Sequence, residues 1–252
     1  GANNTGVGLD VLKVNTTGAG NVGVGKNSLL ANTTGQLNIA IGQDALGGNT
    51  TGSNNTAIGE TCMYANTTAS NNTALGASAL RATTTGAENT AVGANALDAN
   101  TTASYNSAFG VGSLGTNTTG ANNVAVGHAS LFANTTASNN TAVGYSALAA
   151  NTTGYSNTAV GKFTLDANTT ANNNTAVGAA ALTTCTTGDA NTGVGLSALE
   201  AVSTGTGNTG LGENAGSSVT TGSNNLFLGK HAGITGSPGG NIITGSNEIV
   251  LG

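Results

Sequence analysis

The sequence predicts an all-β fold, a parallel β-solenoid with one coil per 17-residue repeat, on three observations. First, a glycine following an aliphatic residue recurs at Gly8, Gly25, Gly42, Gly59, Gly76, Gly93, Gly110, Gly127, Gly144, Gly161, Gly178, Gly195, Gly212 and Gly229, with the same spacing between every neighbouring pair. Second, that period is too short for a helical hairpin, which needs about 33 residues in helical repeats. Third, each period carries a short alternating segment of the type Asn-Thr-Ala-Val-Gly, which reads as a strand, and a segment Asn-Thr-Thr-Gly, which reads as a turn.

Composition sets the bounds. Of 252 residues, 6% are charged and 3% aromatic, with 41 Gly, one Pro and no Trp, so the bulk is Asn, Thr, Ala and Gly. Without internal order such a chain would bury too little apolar surface to offset its backbone entropy. A net charge of −5, dispersed along the chain, marks no nucleic-acid or phosphate surface. No apolar run approaches the ~20 residues of a membrane span, and no signal-peptide pattern is present. The chain opens on Gly1-Ala2-Asn3-Asn4 and closes on Val250-Leu251-Gly252, both in mid-motif, which reads as a segment of something longer.

With the recurring glycine as position 0, each column has its own chemistry. Position −4 is Asn in all fourteen copies, −2 is Ala or Gly until Phe227, and −1 is always Val, Ile, Leu or Phe. Position +4 is Leu in eleven of the first twelve copies, with Met63 the exception; +9 is Thr in thirteen, and +10 is Gly or Ala. Coils would stack at about 4.8 Å. The Asn column would form an amide ladder, each side chain bonding its copies above and below, and the aliphatic columns −1 and +4 would form a thin core. Two sizeable apolar side chains per coil are little against the cost of ordering the whole coil. The small residues at −2, +3 and +6 would then let other backbones approach, which predicts a homotrimer.

The charges check this register. The five basic residues stand at +5 (Lys13, Arg81) and +1 (Lys26, Lys162, Lys230), and nine of ten acidic residues stand at +1, +2, +5, +11 or +12. Charges are almost never fully buried unless paired, so these five columns are predicted to face solvent and the remainder to be scaffold. The aromatic residues Tyr64, Tyr105, Phe132, Tyr145, Tyr155 and Phe163 occupy the same columns and are the candidate surface contacts. Isolated exposed aromatics on a tolerant scaffold are the weightier reading.

Little else suggests chemistry. Cys62 and Cys185 lie seven coils apart, beyond disulfide reach, and read as free packed thiols. No His, Cys, Asp and Glu group has metal-ligand spacing, and no cofactor or phosphate-binding motif is present. These features predict a structural rather than an enzymatic role, with no catalytic residue, metal or cofactor. Asn-Thr-Thr recurs as a formal glycosylation sequon at Asn15, Asn32, Asn49, Asn66, Asn100, Asn117, Asn134, Asn151 and Asn168, where a turn role is the stronger reading. Ice binding by the threonine columns is a distant alternative, because adjacent residues at +8 and +9 would point to opposite sides of a strand.

The Asn-Thr-Ala-Val-Gly segment resembles the head repeat of trimeric autotransporter adhesins of the YadA type. The fuller form from Thr141 to Gly154 is similar to arrays in phage tail fibres and related bacterial surface proteins. The resemblance covers essentially the whole chain. It implies a left-handed β-roll, three chains packed side by side, an extracellular place on a cell surface or virion, and a host cell-surface or matrix receptor as partner. The adhesin repeat is usually shorter than this one, so the added Asn-Thr-Thr-Gly length is a departure.

Residues 1–212 form the regular array and residues 213–252 a divergent end. There, position +4 becomes Gly216 and Gly233, and the last step, from Gly229 to Gly252, is longer than the others around Pro238-Gly239-Gly240. A transition or cap is predicted for that end. The predicted function is a rigid structural or adhesive fibre segment mediating attachment; the alternative is an architectural filament subunit polymerising end to end.

Overall fold

The repeated Thr-Ala-Val triplets form strands whose middle residue points inward. The computed structural model describes residues 1–236 and 240–252, so Pro238 and Gly239 of the predicted transition lie outside the described residues. Among those residues there are fifteen strands and no helix, and together the strands form a parallel β-solenoid. The chain divides into two compact units. Residues 1–123 hold β1 (Thr5–Val7), β2 (Val22–Val24), β3 (Ile39–Ile41), β4 (Thr56–Ile58), β5 (Thr73–Leu75), β6 (Thr90–Val92) and β7 (Ser107–Phe109). Residues 124–252 hold β8 (Val124–Val126), β9 (Thr141–Val143), β10 (Thr158–Val160), β11 (Thr175–Val177), β12 (Thr192–Val194), β13 (Thr209–Leu211), β14 (Leu226–Leu228) and β15 (Ile249–Leu251). Within each unit, successive strands pair in parallel at the repeat register; Thr73, Ala74 and Leu75, for instance, face Thr90, Ala91 and Val92.

Strands of three residues would be marginal if pairing stopped at their ends. It does not stop there. In the coil that starts at Gly42, the Asp44 amide donates back to the Lys26 carbonyl, while the amides of Leu46, Gly48 and Thr50 donate forward to Cys62, Tyr64 and Thr67. The Asn54 amide then donates back to Gln36. Coil-to-coil bonding therefore continues around the turns, and it supplies much of what a thin apolar core lacks.

This pairing needs unusual backbone angles. Positions +2, +4 and +12 are left-handed in coil after coil, as at Asn95 (φ 55), Leu97 (φ 52) and Tyr105 (φ 63). A left-handed leucine costs about 1–2 kcal/mol. In return the Asn95 and Tyr105 amides donate to the preceding coil and the Leu97 amide to the following one, and the Leu97 side chain becomes fully buried. At position 0 only glycine fits: Gly144 has φ 139, and a Cβ there would stand 2.6 Å from the Gly161 carbonyl carbon.

The core corrects the column assignment made from sequence. Position +4 is core, with Leu29, Leu46, Leu80, Leu97, Leu148, Leu165, Leu182 and Leu199 at 0% exposure. Position −1 is not: Ile41 and Val194 are each 38% exposed and Leu75 46%. The reason is strand alternation, which places residues on either side of an inward alanine on the outer face. The small columns −2 and +3 are likewise not open surface, since Ala57, Ala74, Ala91 and Ala96 are buried in their own chain. Position +6 is half-buried. Solvent therefore meets more than the five charged columns: positions −3, −1 and +9 are at the surface as well.

Two asparagine columns line the polar half of the core. The −4 amide side chains form the predicted ladder, with Asn38 Nδ2 donating to Asn21 Oδ1 at 3.1 Å and Asn55 Nδ2 to Asn38 Oδ1 at 3.2 Å. Backbone bonds add to it: Asn38 Oδ1 also accepts from the Asn55 backbone amide, and Asn38 Nδ2 donates to the Gly52 carbonyl at 2.8 Å. The +7 column forms a second ladder, in which Asn49 Nδ2 donates both to Asn32 Oδ1 and to the same Gly52 carbonyl. Each such +10 carbonyl thus receives two amide donors and uses both lone pairs. Asn32, Asn49, Asn66, Asn100, Asn117, Asn134, Asn151 and Asn168 are fully buried, which favours the turn role of these residues over glycosylation.

Candidate interaction surface

The fold places all six candidate aromatics at the surface, among them Tyr105 at 57% and Phe163 at 36% exposure. It brings Tyr145 and Phe163 together. Tyr145 stacks on His128 with ring centroids 5.4 Å apart, and the edge of Phe163 meets Tyr145 at 5.3 Å. Lys162 Nζ lies 4.7 Å from the centre of the Phe163 ring. The sequence reading placed His128 and Lys162 in solvent-facing columns but not among the candidate contacts, although His128, Tyr145 and Lys162 fill position +1 in three successive coils. The strip remains partly exposed, Tyr145 at 49%. Tyr64 packs over Gly47, where a Cβ would stand 3.2 Å from its ring, and so covers a gap in its own chain.

The larger surface includes the −1 column, which the sequence reading had assigned to the core. Along β3 to β6 the outward residues are Ile39, Ile41, Thr56, Ile58, Thr73, Leu75, Thr90 and Val92. Along β9 to β13 they are threonine at −3 and Val or Leu at −1, from Thr141 and Val143 to Thr209 and Leu211. No charged residue interrupts this lane at positions −3 to 0 of the regular coils. An uncharged strip with an unbroken −1 apolar column differs from scattered exposed side chains and is the candidate interaction surface.

A third surface element is the threonine at +9, which is exposed in every regular copy from Thr17 to Thr221. Thr244 continues the column, because the Thr220 amide donates to Ile243 and Asn225 Nδ2 donates to Gly245. The neighbouring +8 threonines differ: Thr33 Oγ1 donates to the Thr50 carbonyl at 3.0 Å. The pair sits in a bend, not a strand, so +8 stays half-exposed and does not point to the opposite side.

Titratable groups are sparse. Burial pushes the Cys62 thiol up to about 12 and the Cys185 thiol up to about 11. Both are free, and Cys185 Sγ takes over the asparagine role at +7 by donating to the Gly188 carbonyl at 3.2 Å. Arg81 and Asp98 pair across adjacent coils at 2.8 Å, as Lys230 and Glu213 do at 3.0 Å. Among the described residues no group of His, Cys, Asp and Glu is placed to hold a metal ion, and no helix is long and apolar enough to cross a membrane.

Comparison with models of known protein families gives no match, and neither does comparison with characterised proteins. The fold and surface define the chain as a β-solenoid repeat protein with an exposed apolar strand lane.

Proposed function

We propose that this chain is a segment of a structural or adhesive fibre, at a bacterial surface or on a virion tail fibre, in which copies of the chain associate through the strand lane as a homotrimer. The observation that carries this reading is the outward aliphatic column at −1, half-exposed in coil after coil and free of charge. The matching occupant is another copy, because a partner with the same coil spacing meets every rung of the lane, whereas a non-repeating surface meets only a few. Contacts to a cell-surface or matrix receptor fall to the variable columns, including the His128–Tyr145–Phe163 strip. No catalytic role is assigned to the chain.

Light scattering after size exclusion tests association, with a trimer expected across micromolar concentrations. A chain that stays monomeric, and whose Val160→Glu variant behaves identically, removes the proposal. Electron micrographs of the intact assembly separate discrete spikes from the indefinite filaments that end-to-end polymerisation would give.

A second reading rests on the same lane. From β9 to β13 each strand displays outward a threonine methyl and hydroxyl beside an aliphatic side chain, in a regular uncharged array. Such a face can order water and bind ice. Thermal hysteresis by the isolated chain, lost on Thr175→Asp, would favour it over association.

A further inference from the structure

We infer that alternating glycine and alanine at position +10 joins the coils two by two, with a tight seam inside each pair and a hinge between pairs. The sequence alternates strictly from Gly52 through Ala69, Gly86, Ala103, Gly120, Ala137, Gly154 and Ala171 to Gly188, and no two +10 alanines are adjacent anywhere in the chain. At the glycine coils a Cβ would collide with the next coil's +10 carbonyl, as at Gly52 against Ala69 and at Gly86 against Ala103. An alanine methyl therefore acts as a wedge between its coil and the next.

The hydrogen bonds record the wedge. In the first unit the +8 amides donate forward at 2.9 Å where +10 is glycine, from Thr16, Thr33, Thr50 and Thr84. After Ala69 the Thr67 amide donates to Thr84 at 3.2 Å, and after Ala103 the Thr101 amide donates to Thr118 at 3.1 Å. The second unit repeats the pattern: 3.2 Å at Thr135 and Thr169, which precede Ala137 and Ala171, against 2.9 Å at Thr152. The strand side of the same seams does not change, since Thr56 to Asn72 and Thr73 to Asn89 are both 2.9 Å. The lengthening thus falls on the +8 amide and not on the strand, which serves as the axis; the +9 amides differ little between seams, Thr68 donating to Thr84 at 3.3 Å and Thr85 to Thr101 at 3.4 Å.

Position +11 reinforces the pairing. Across tight seams the Ser53 amide donates to Ser70 Oγ and the Ala87 amide to Ser104 Oγ, both at 3.0 Å. Across the seam after Ala69, Ala87 offers Ser70 no side-chain acceptor. The seam after Ala171 is an internal contrast, because there the Asn172 amide donates to Asp189 Oδ1 at 2.6 Å and ties the hinge. The device lies within one chain, so it is independent of whether copies associate.

Amide hydrogen exchange on the full chain tests the hinge. The Thr67 and Thr101 amides should exchange about threefold faster than Thr50 and Thr84, as expected when one backbone bond loses a fraction of its net strength. Ala69→Gly introduces a residue already present at this position in other coils, and it should slow Thr67 to the Thr50 rate. Gly86→Ala would set three alanines in succession and should speed exchange at Thr84. Equal rates in the native chain, or a Thr67 rate unchanged by Ala69→Gly, would overturn the inference.

Discussion

The ring of Phe227 fills the space that a leucine side chain would need at Gly216: a Cβ built on Gly216 would stand 2.5 Å from Phe227 Cδ2. A Cβ on Gly233, in the following coil, would collide with the other edge of the same ring. Phe227 is fully buried at a position that other coils give to alanine or glycine. One large residue at −2 thus replaces two leucines at +4, and volume is exchanged between columns at nearly constant packing.

The exchange predicts strong coupling. Phe227→Ala alone should lower stability by about 3–5 kcal/mol through the cavity left between two glycines. Gly216→Leu alone should also destabilise, by overpacking. Combining Phe227→Ala with Gly216→Leu and Gly233→Leu restores the arrangement of the earlier coils. Its denaturation midpoint should exceed that of Phe227→Ala; an additive loss across the three changes would refute the exchange.

The +7 asparagine ladder is broken at Thr83 and does not continue past Asn168, where Cys185, Val202 and Val219 take the position. Asn66 Oδ1 is buried without a hydrogen-bond partner, and the next rung is Thr83, where other coils supply an asparagine amide. Thr83→Asn should place Nδ2 against that oxygen and raise stability by about 1–2 kcal/mol. Among the described residues Ser28 Oγ is the other buried side-chain oxygen without a partner, at a position usually held by alanine, so Ser28→Ala should be neutral or stabilising. Urea unfolding of the two variants checks both.

Glycine at position 0 should tolerate no side chain in mid-stack. Gly144→Ala meets a left-handed backbone and the Gly161 carbonyl together, and should cost more than about 2 kcal/mol. A matched change such as Ala142→Gly, inward but conformationally unstrained, should cost less.

The buried thiols predict an alkaline limit. Folded Cys62 and Cys185 hold their protons up to about 12 and about 11, whereas the unfolded chain releases them near 9. The folded state therefore binds more protons in that window. Stability should be unaffected below pH ~8 and fall above pH ~9, by roughly 1.4 kcal/mol per pH unit for each thiol until its folded value is reached. Both cysteines should resist thiol reagents at pH 8 and react on denaturation. Replacing both by serine should flatten the alkaline slope.

Much of this fold was legible in the sequence because a repeat states its own geometry. The strict 17-residue spacing determined coil stacking, parallel register and the strand and turn segments, since any slip would misalign every column at once. Burial of leucine at +4 and exposure of the charged columns were legible for the same reason. The face taken by the aliphatic −1 column was not. In so short a strand either the middle or the flanking side chains can face inward, and hydrophobicity favoured the flanking valines. The tertiary structure decided for alanine or glycine, because the +4 leucine of the preceding coil lies against that position: a Cβ built on Gly210 would stand 2.8 Å from Leu199 Cγ. Where that leucine is absent, at Gly216 and Gly233, the strand position admits Phe227. The sequence by itself determined the repeat; the space inside the coil decided which apolar column is core and which stays at the surface.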